Sequence, residues 1–72
     1  MAVNSTSFAL SPTGQEFPRF AFTAITKDQI QVIHQWTEQG QLRKRTDRLG
    51  SETAGQFITT LRNLGYTDNP AM

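Results

Sequence analysis

The side chains with the most evident chemical potential in this chain are His34 and Glu38, which stand four residues apart. On an α-helix that spacing places both on one face, where a carboxylate can orient an imidazole for acid–base work or share a metal ion with it. The other groups such chemistry needs are missing, because the sequence has no cysteine, no second histidine and no glycine-rich phosphate loop. Ser11 and Ser51 have no base at a recognisable catalytic spacing. We therefore expect no enzymatic activity, no catalytic residue, no metal site and no cofactor.

The length of 72 residues predicts one small domain spanning residues 1–72. A domain of this size buries only about 60% of the surface that its unfolded chain exposes, so its stability is marginal. Without cysteine it cannot gain stability from a disulfide. We therefore expect association with a protein partner or with a second copy of the chain to contribute stability.

The apolar residues are too scattered for a membrane protein. No stretch approaches the roughly 18 apolar residues of a membrane-spanning helix, and the N-terminal residues lack the basic start and apolar run of a secretory signal. We therefore expect a cytoplasmic protein with no membrane partner.

Residues 5–10 and 17–25 are rich in Phe, Thr and Ile, which favour strands. Between them, Pro12 and Gly14 favour a tight turn. The sequence therefore predicts an N-terminal β-hairpin. The alternative is that residues 1–15 are partly flexible and that only the second strand is ordered.

Residues 26–39 are predicted to form a first helix. Thr26 can cap its first turn, Gln29 stands three residues later as in a capping box, and Gly40 follows as a helix stop. At about 100° per residue the apolar side chains fall within an arc of about 160°. They are Ile30, Val32, Ile33 and Trp36.

Residues 51–64 are predicted to form a second helix, with Ser51 as N-cap, Glu52 in the first turn and Gly65 as the stop. Its apolar residues follow helical spacing closely. They are Ala54, Phe57, Ile58, Leu61 and Leu64. Residues 67–72 have little to bury and are expected to be a frayed tail.

Between the two helices, Leu42 and Leu49 stand seven residues apart, a spacing that allows a short third helix at 42–49. The predicted fold is therefore an α+β domain of order β-β-α-α. In it, the N-terminal hairpin packs on two main helices.

The aromatic residues suggest a partner surface, because the chain carries more ring mass than a hairpin and two short helices enclose. The rings expected to remain available are those of Phe17, Phe20, Phe22 and Trp36. Our leading interpretation is a non-catalytic binding module that acts as a regulator, adaptor or small subunit. Its expected partner is another protein or a second copy of itself.

A basic cluster supports an alternative interpretation. It comprises Arg43, Lys44, Arg45 and Arg48, whereas the formal charge of the whole chain is only +1. Guanidinium groups match phosphate oxygens. The polar face of the predicted helix 51–64 carries side chains that can hydrogen-bond base edges. They are Gln56, Thr59, Thr60 and Asn63.

Residues 41–66, ending in Leu61-Arg62-Asn63-Leu64-Gly65-Tyr66, resemble the second and third helices of a winged helix-turn-helix domain. That resemblance implies a DNA-binding regulator in which helix 51–64 reads bases and the basic cluster contacts phosphates. Nucleic acid is therefore the alternative partner.

Overall fold

The computed structural model describes residues 7–69, which form a five-stranded antiparallel sheet and one α-helix. The elements in chain order are β1 (Ser7–Pro12), β2 (Arg19–Ala24), β3 (Gln29–Glu38), β4 (Gln41–Gly50), α1 (Ser51–Asn63) and β5 (Tyr66–Asp68). The order of the strands across the sheet is β4-β3-β2-β1-β5. Helix α1 follows β4, and β5 then pairs at the opposite edge of the sheet.

The predicted N-terminal hairpin is confirmed. Strands β1 and β2 pair antiparallel, with Ser7 opposite Thr23 and Leu10 opposite Phe20. Gly14 lies in the connection with a φ of +79°, a conformation that glycine adopts without steric cost. The part of the predicted first strand and flexible segment that falls on residues 1–6 lies outside the described residues.

The prediction of a helix at 26–39 is wrong, because residues 29–38 form strand β3. This strand pairs with β2 on one side and β4 on the other, so every second side chain faces the same way. Ile30 and Val32 point to the core with that period of two. On the predicted helix, the apolar residues would have occupied a wide arc of the helix surface. Gln39 and Gly40 have φ values of 53° and 78°, as a two-residue hairpin turn requires.

The prediction of a short helix at 42–49 is also wrong, because residues 41–50 form strand β4. The pairing with β3 is continuous from Glu38 and Gln41 to Gln29 and Gly50. The α+β domain with two main helices is therefore corrected to a five-stranded sheet with a single helix.

The helix predicted at 51–64 is confirmed as α1. Four residues of the predicted stripe face the sheet, and one of them, Leu61, joins Leu10, Phe22 and Val32 in the buried core. Leu64, the fifth predicted member, is instead the C-cap residue of α1 and is 69% exposed. Ser51 is not the N-cap, since Gly50 takes that position. The Ser51 hydroxyl instead donates to the Lys27 carbonyl at 2.9 Å.

The C-terminal residues differ from the predicted frayed tail. Tyr66–Asp68 pairs with β1 as strand β5, and the Asn69 N–H donates to the Ala9 carbonyl at 2.8 Å. Residues 70–72 of the predicted tail lie outside the described residues. Among residues 7–69, no helix has the length and apolarity needed to cross a membrane.

The sheet has two unlike faces. We call the face that α1 packs on the helix side, and it carries the core residues Leu10, Phe22 and Val32. The opposite face, which no helix covers among residues 7–69, is called the open side. Because side chains alternate along a strand, the cross-strand pairs assign each residue to one side. The open side includes Ala9, Ala21, Ile33 and Thr46 in one row, Arg19, Gln35 and Lys44 in a second, and Ser7, Thr23, Gln31 and Arg48 in a third.

Candidate binding surface on the β3–β4 hairpin

The end of the β3–β4 hairpin extends beyond the rest of the sheet. Strand β2 pairs with β3 only as far as Gln35, whereas β3 and β4 continue to pair up to Glu38 and Gln41. Trp36 therefore lies on a two-stranded overhang. It is also absent from the partly buried residues that pack against the core, so its ring is not part of the hydrophobic centre.

Three rings form a column on the helix side that ends at Trp36. The Phe20 and His34 rings are stacked, with centroids 4.3 Å apart and planes inclined by 7°. The Trp36 ring follows at 4.6 Å from His34, inclined by 31°. Phe57 of α1 meets the Phe20 ring edge-on at 5.1 Å. The helix thus supports the inner end of the column, and Trp36 forms the outer end.

The imidazole of His34 belongs to this column as an uncharged ring. Its pKa is lowered from the ordinary value by burial and, to a smaller extent, by the positive charge of Arg45, while the nearby Asp47 carboxylate opposes the change. The neutral form therefore predominates at pH 7. A neutral ring stacks on Phe20 without the desolvation cost of an imidazolium ion.

Strand alternation divides the basic cluster between the two sides of the sheet. Arg43 and Arg45 are opposite Trp36 and His34, so they lie on the helix side beside the ring column. Lys44 and Arg48 lie on the open side, opposite Gln35 and Gln31. The cluster that is contiguous in sequence is therefore two separate pairs of cations in space.

The carboxylates of the β3–β4 hairpin lie on only one side of the sheet. Arg43 contacts Glu38 at 3.6 Å, and Arg45 contacts Asp47 at 3.1 Å, both on the helix side. Within residues 7–69 no salt bridge involves Lys44 or Arg48. None of the described strands places a carboxylate on the open side. The open side is therefore uniformly cationic, whereas the helix side carries mixed charge.

An open cleft of about 350 Å³ adjoins the ring column between α1 and β4. Phe20, His34 and Phe57 provide its aromatic wall, and Arg45 and Asp47 line its polar side. The ring column, the two arginines and the cleft form one continuous surface, which we call the ring surface.

The residues predicted as a partner surface are dispersed by the fold. Phe22 is 1% exposed and belongs to the core, so it offers nothing to a partner. Phe17 lies in the loop before β2 and is half-buried, while Phe20 is enclosed by His34, Phe57 and Tyr66. The structure joins Phe20 to Trp36 through His34.

The residues predicted to contact nucleic acid are also separated. Gln56, Thr59 and Asn63 are exposed on α1. The basic cluster lies on β4, which is a strand, so the helix that should precede a recognition helix is absent. The helix-turn-helix geometry implied by the resemblance is therefore not present.

His34 and Glu38 do not form the pair that a helix would have produced. Four residues along a strand span about 13 Å, too far for the two side chains to share a metal ion. No group of three or more His, Cys, Asp or Glu side chains in residues 7–69 is placed to hold a metal. The role of His34 as a stacked ring was missed, although Ile30, Val32, His34 and Trp36 alternate with polar residues in a strand-like manner.

No protein-family model matches the chain, and no curated protein or solved structure is significantly similar to it.

Proposed function

We propose that this domain binds single-stranded nucleic acid on the ring surface. The observation that carries the proposal is the position of Trp36 at the outer end of a ring column, on an overhang flanked by Arg43 and Arg45. Rings that accept bases, combined with nearby cations that track the backbone, are the two components of sequence-tolerant single-strand binding. The ligand is an RNA or DNA strand with at least one unpaired base.

The stacking step requires an unpaired base. A base inside a duplex is covered on both faces by its neighbours, whereas a base in a single strand can place one face on the outer face of Trp36. Stacking of this kind contributes about 1–3 kcal/mol per base. The column beneath Trp36 holds the indole in place, so little side-chain entropy is lost when a base arrives.

Arg43 and Arg45 provide the contacts to the phosphates of the strand. Their side chains are 52% and 70% exposed, and their partners Glu38 and Asp47 are similarly accessible. Exposed ion pairs of this type contribute only about 0–1 kcal/mol, so a phosphate can displace the carboxylates at small cost. Guanidinium groups bind phosphate through two parallel hydrogen bonds, which favours that exchange.

The proposal keeps the nucleic-acid partner of the alternative interpretation but places it on different residues. The helix-turn-helix arrangement is excluded as the binding mode because β4 is a strand. Interaction with a protein partner remains a proposal. The surplus of aromatic rings supports it less than the sequence suggested, because most of these rings pack against one another within the sheet and helix.

Trp36 is the single tryptophan of the chain, so its fluorescence reports directly on the proposed contact. Titration with an unlabelled 12-nucleotide single strand should quench it, and a blunt duplex of the same sequence should quench it much less. Trp36→Leu should weaken binding of a labelled single strand by about 1–3 kcal/mol in fluorescence anisotropy. Leu42→Ala is the matched control, because Leu42 lies on the same overhang but on the open side and is 56% exposed.

Equal binding of the single strand by the Trp36→Leu variant and the wild-type protein would refute the proposal. So would binding without any change in the tryptophan emission, since the strand would then lie elsewhere on the domain.

A further inference from the structure

We propose that the outer edge of β4 accepts an extended acidic segment of a partner protein as a sixth strand. This inference concerns a different surface from the ring surface and does not depend on nucleic-acid binding. Three features of β4 support a sixth strand: the phase of its backbone hydrogen bonds, the length of its free edge and the placement of Lys44 and Arg48.

The hydrogen-bond phase of the hairpin determines which β4 residues face outward. In a hairpin with a two-residue turn, the closing pair, here Glu38 and Gln41, is hydrogen-bonded, and such pairs then alternate along the ladder. The Ser51 N–H donates to the Asp28 carbonyl at 3.0 Å, two positions beyond Ile30 and Leu49, which agrees with this phase. The N–H and C=O groups that face away from β3 are therefore those of Leu42, Lys44, Thr46 and Arg48.

This edge is suited to strand addition. Strand β4 has ten residues in unbroken register with β3, and among residues 7–69 nothing pairs with its outer side. The opposite edge of the sheet is the three-residue strand β5, which offers far fewer groups. Extended peptides bind exposed sheet edges through the same main-chain hydrogen bonds that join strands within a sheet.

The charges on the edge define the partner. Lys44 and Arg48 lie on the open side four residues apart, a distance of about 13 Å along the strand, with Thr46 between them. They have no carboxylate on that side of the described sheet. An added strand with acidic residues at positions i and i+4 places both carboxylates on the open side, within reach of the two cations.

A second copy of this chain fits the edge less well. An antiparallel β4–β4 pair centred on Arg45 brings Arg45 opposite itself. When the pair is centred on Thr46, Lys44 is opposite Arg48. The Arg45–Asp47 pairs that this register also forms only replace a contact that each chain already makes within itself. Like charges directly opposite each other are destabilising. Cations on an edge strand thus disfavour pairing with the same strand of a second copy, but they attract a strand of opposite charge.

A nucleic-acid strand does not meet the same requirements. Its backbone lacks alternating N–H and C=O groups at strand spacing, so it cannot continue the ladder. The strand residues on the open side also include no aromatic ring on which a base could stack. The occupant that fits both the backbone and the charges is an acidic polypeptide.

The test uses capped seven-residue peptides and the full-length ¹⁵N-labelled protein. The in-phase peptide is Thr-Glu-Val-Thr-Val-Glu-Thr, and its control, Thr-Glu-Val-Thr-Glu-Val-Thr, has the same composition but directs its two carboxylates to opposite sides. The in-phase peptide should bind about threefold more tightly, as expected for one additional exposed ion pair. Saturation should slow the hydrogen exchange of the Lys44, Thr46 and Arg48 amides.

Two further comparisons separate a strand ladder from simple charge attraction. An in-phase peptide N-methylated at alternate residues on the bonding edge keeps its charge but should bind at least about tenfold more weakly, because it cannot donate to β4. Thr46→Pro removes one outward N–H at an edge position where proline is tolerated, and Thr46→Val retains that N–H. Peptide affinity should fall in the first variant and persist in the second.

Equal binding of the N-methylated and unmethylated peptides would overturn the proposal, as would unchanged exchange of the three amides at peptide saturation. The N-methylation result does not depend on any protein variant, so the proposal remains testable even if Thr46→Pro unfolds.

Discussion

The division of the basic cluster by strand alternation yields a quantitative prediction. Arg43→Ala/Arg45→Ala removes two cations from the helix side, and Lys44→Ala/Arg48→Ala removes two from the open side. Each double variant lowers the formal charge of the chain from +1 to −1, so long-range attraction of a polyanion changes equally in both. Any difference between them therefore reports direct phosphate contact.

The magnitude follows from the number of contacts. Each phosphate neutralised on a single strand contributes about 0.7 to the slope of log affinity against log salt, so Arg43 and Arg45 together contribute about 1.4. Between about 50 and 200 mM salt, the wild-type protein should lose about sevenfold more affinity than the helix-side variant. The open-side variant should retain most of the wild-type slope.

The assay is fluorescence anisotropy of a labelled 12-nucleotide strand at four or five salt concentrations, with circular dichroism to show that both variants are folded. Equal slopes for the two double variants would show that Arg43 and Arg45 make no direct phosphate contacts. A reduction confined to the open-side variant would move the phosphate path to the other face of the sheet.

Three predictions concern stability. Leu61→Ala should lower the free energy of unfolding, measured by urea titration, by about 2–5 kcal/mol, because Leu61 is 4% exposed in the core. Leu64 is 69% exposed, so Leu64→Ala should change this free energy by less than about 0.5 kcal/mol. In the same assay Gly40→Ala, at a φ of +78°, should destabilise by about 1 kcal/mol, and Gly55→Ala, in open space within α1, should stabilise by about 0.5–1 kcal/mol. Folding lowers the pKa of His34, so the stability that its neutral ring contributes is complete above the unfolded-state pKa of about 6.5. That stability is lost as the pH falls through the folded-state pKa. His34→Phe should therefore flatten the fall in melting temperature between about pH 7 and 5.

The elements that were predicted correctly are those whose signals are local. Gly14 lies in the connection of the first hairpin, although Pro12 ends strand β1 and the connection is longer than the predicted tight turn. The apolar residues of α1 follow helical spacing from Ala54 to Leu61. Gly65 also ends that helix in a conformation with φ of +98°, as expected for a glycine stop. Each of these signals depends on a few neighbouring residues and needs no information about the rest of the chain.

The segment 26–50 was predicted wrongly because its local signals are ambiguous. Thr26 and Gln29 resemble a capping box, and Gly40 can end a helix or complete a two-residue hairpin turn. The apolar residues of β3 occupy both odd and even positions. Their spacing therefore fits a helix with a broad apolar arc as well as a strand with two partly buried faces. The pairing of β3 with both neighbours decides between them, because it satisfies the backbone groups along both edges of this strand as far as Gln35.

The sequence by itself determined composition, charge and the two elements with unambiguous local patterns, and it identified Trp36 and the basic cluster as residues of interest. Only the tertiary structure decided how they are used. A strand reverses the direction of each successive side chain, so it places Arg43 and Arg45 beside Trp36 and directs Lys44 and Arg48 to the opposite face. On a helix the same residues would have formed a different surface, and the choice between the two depends on long-range pairing that local sequence does not encode.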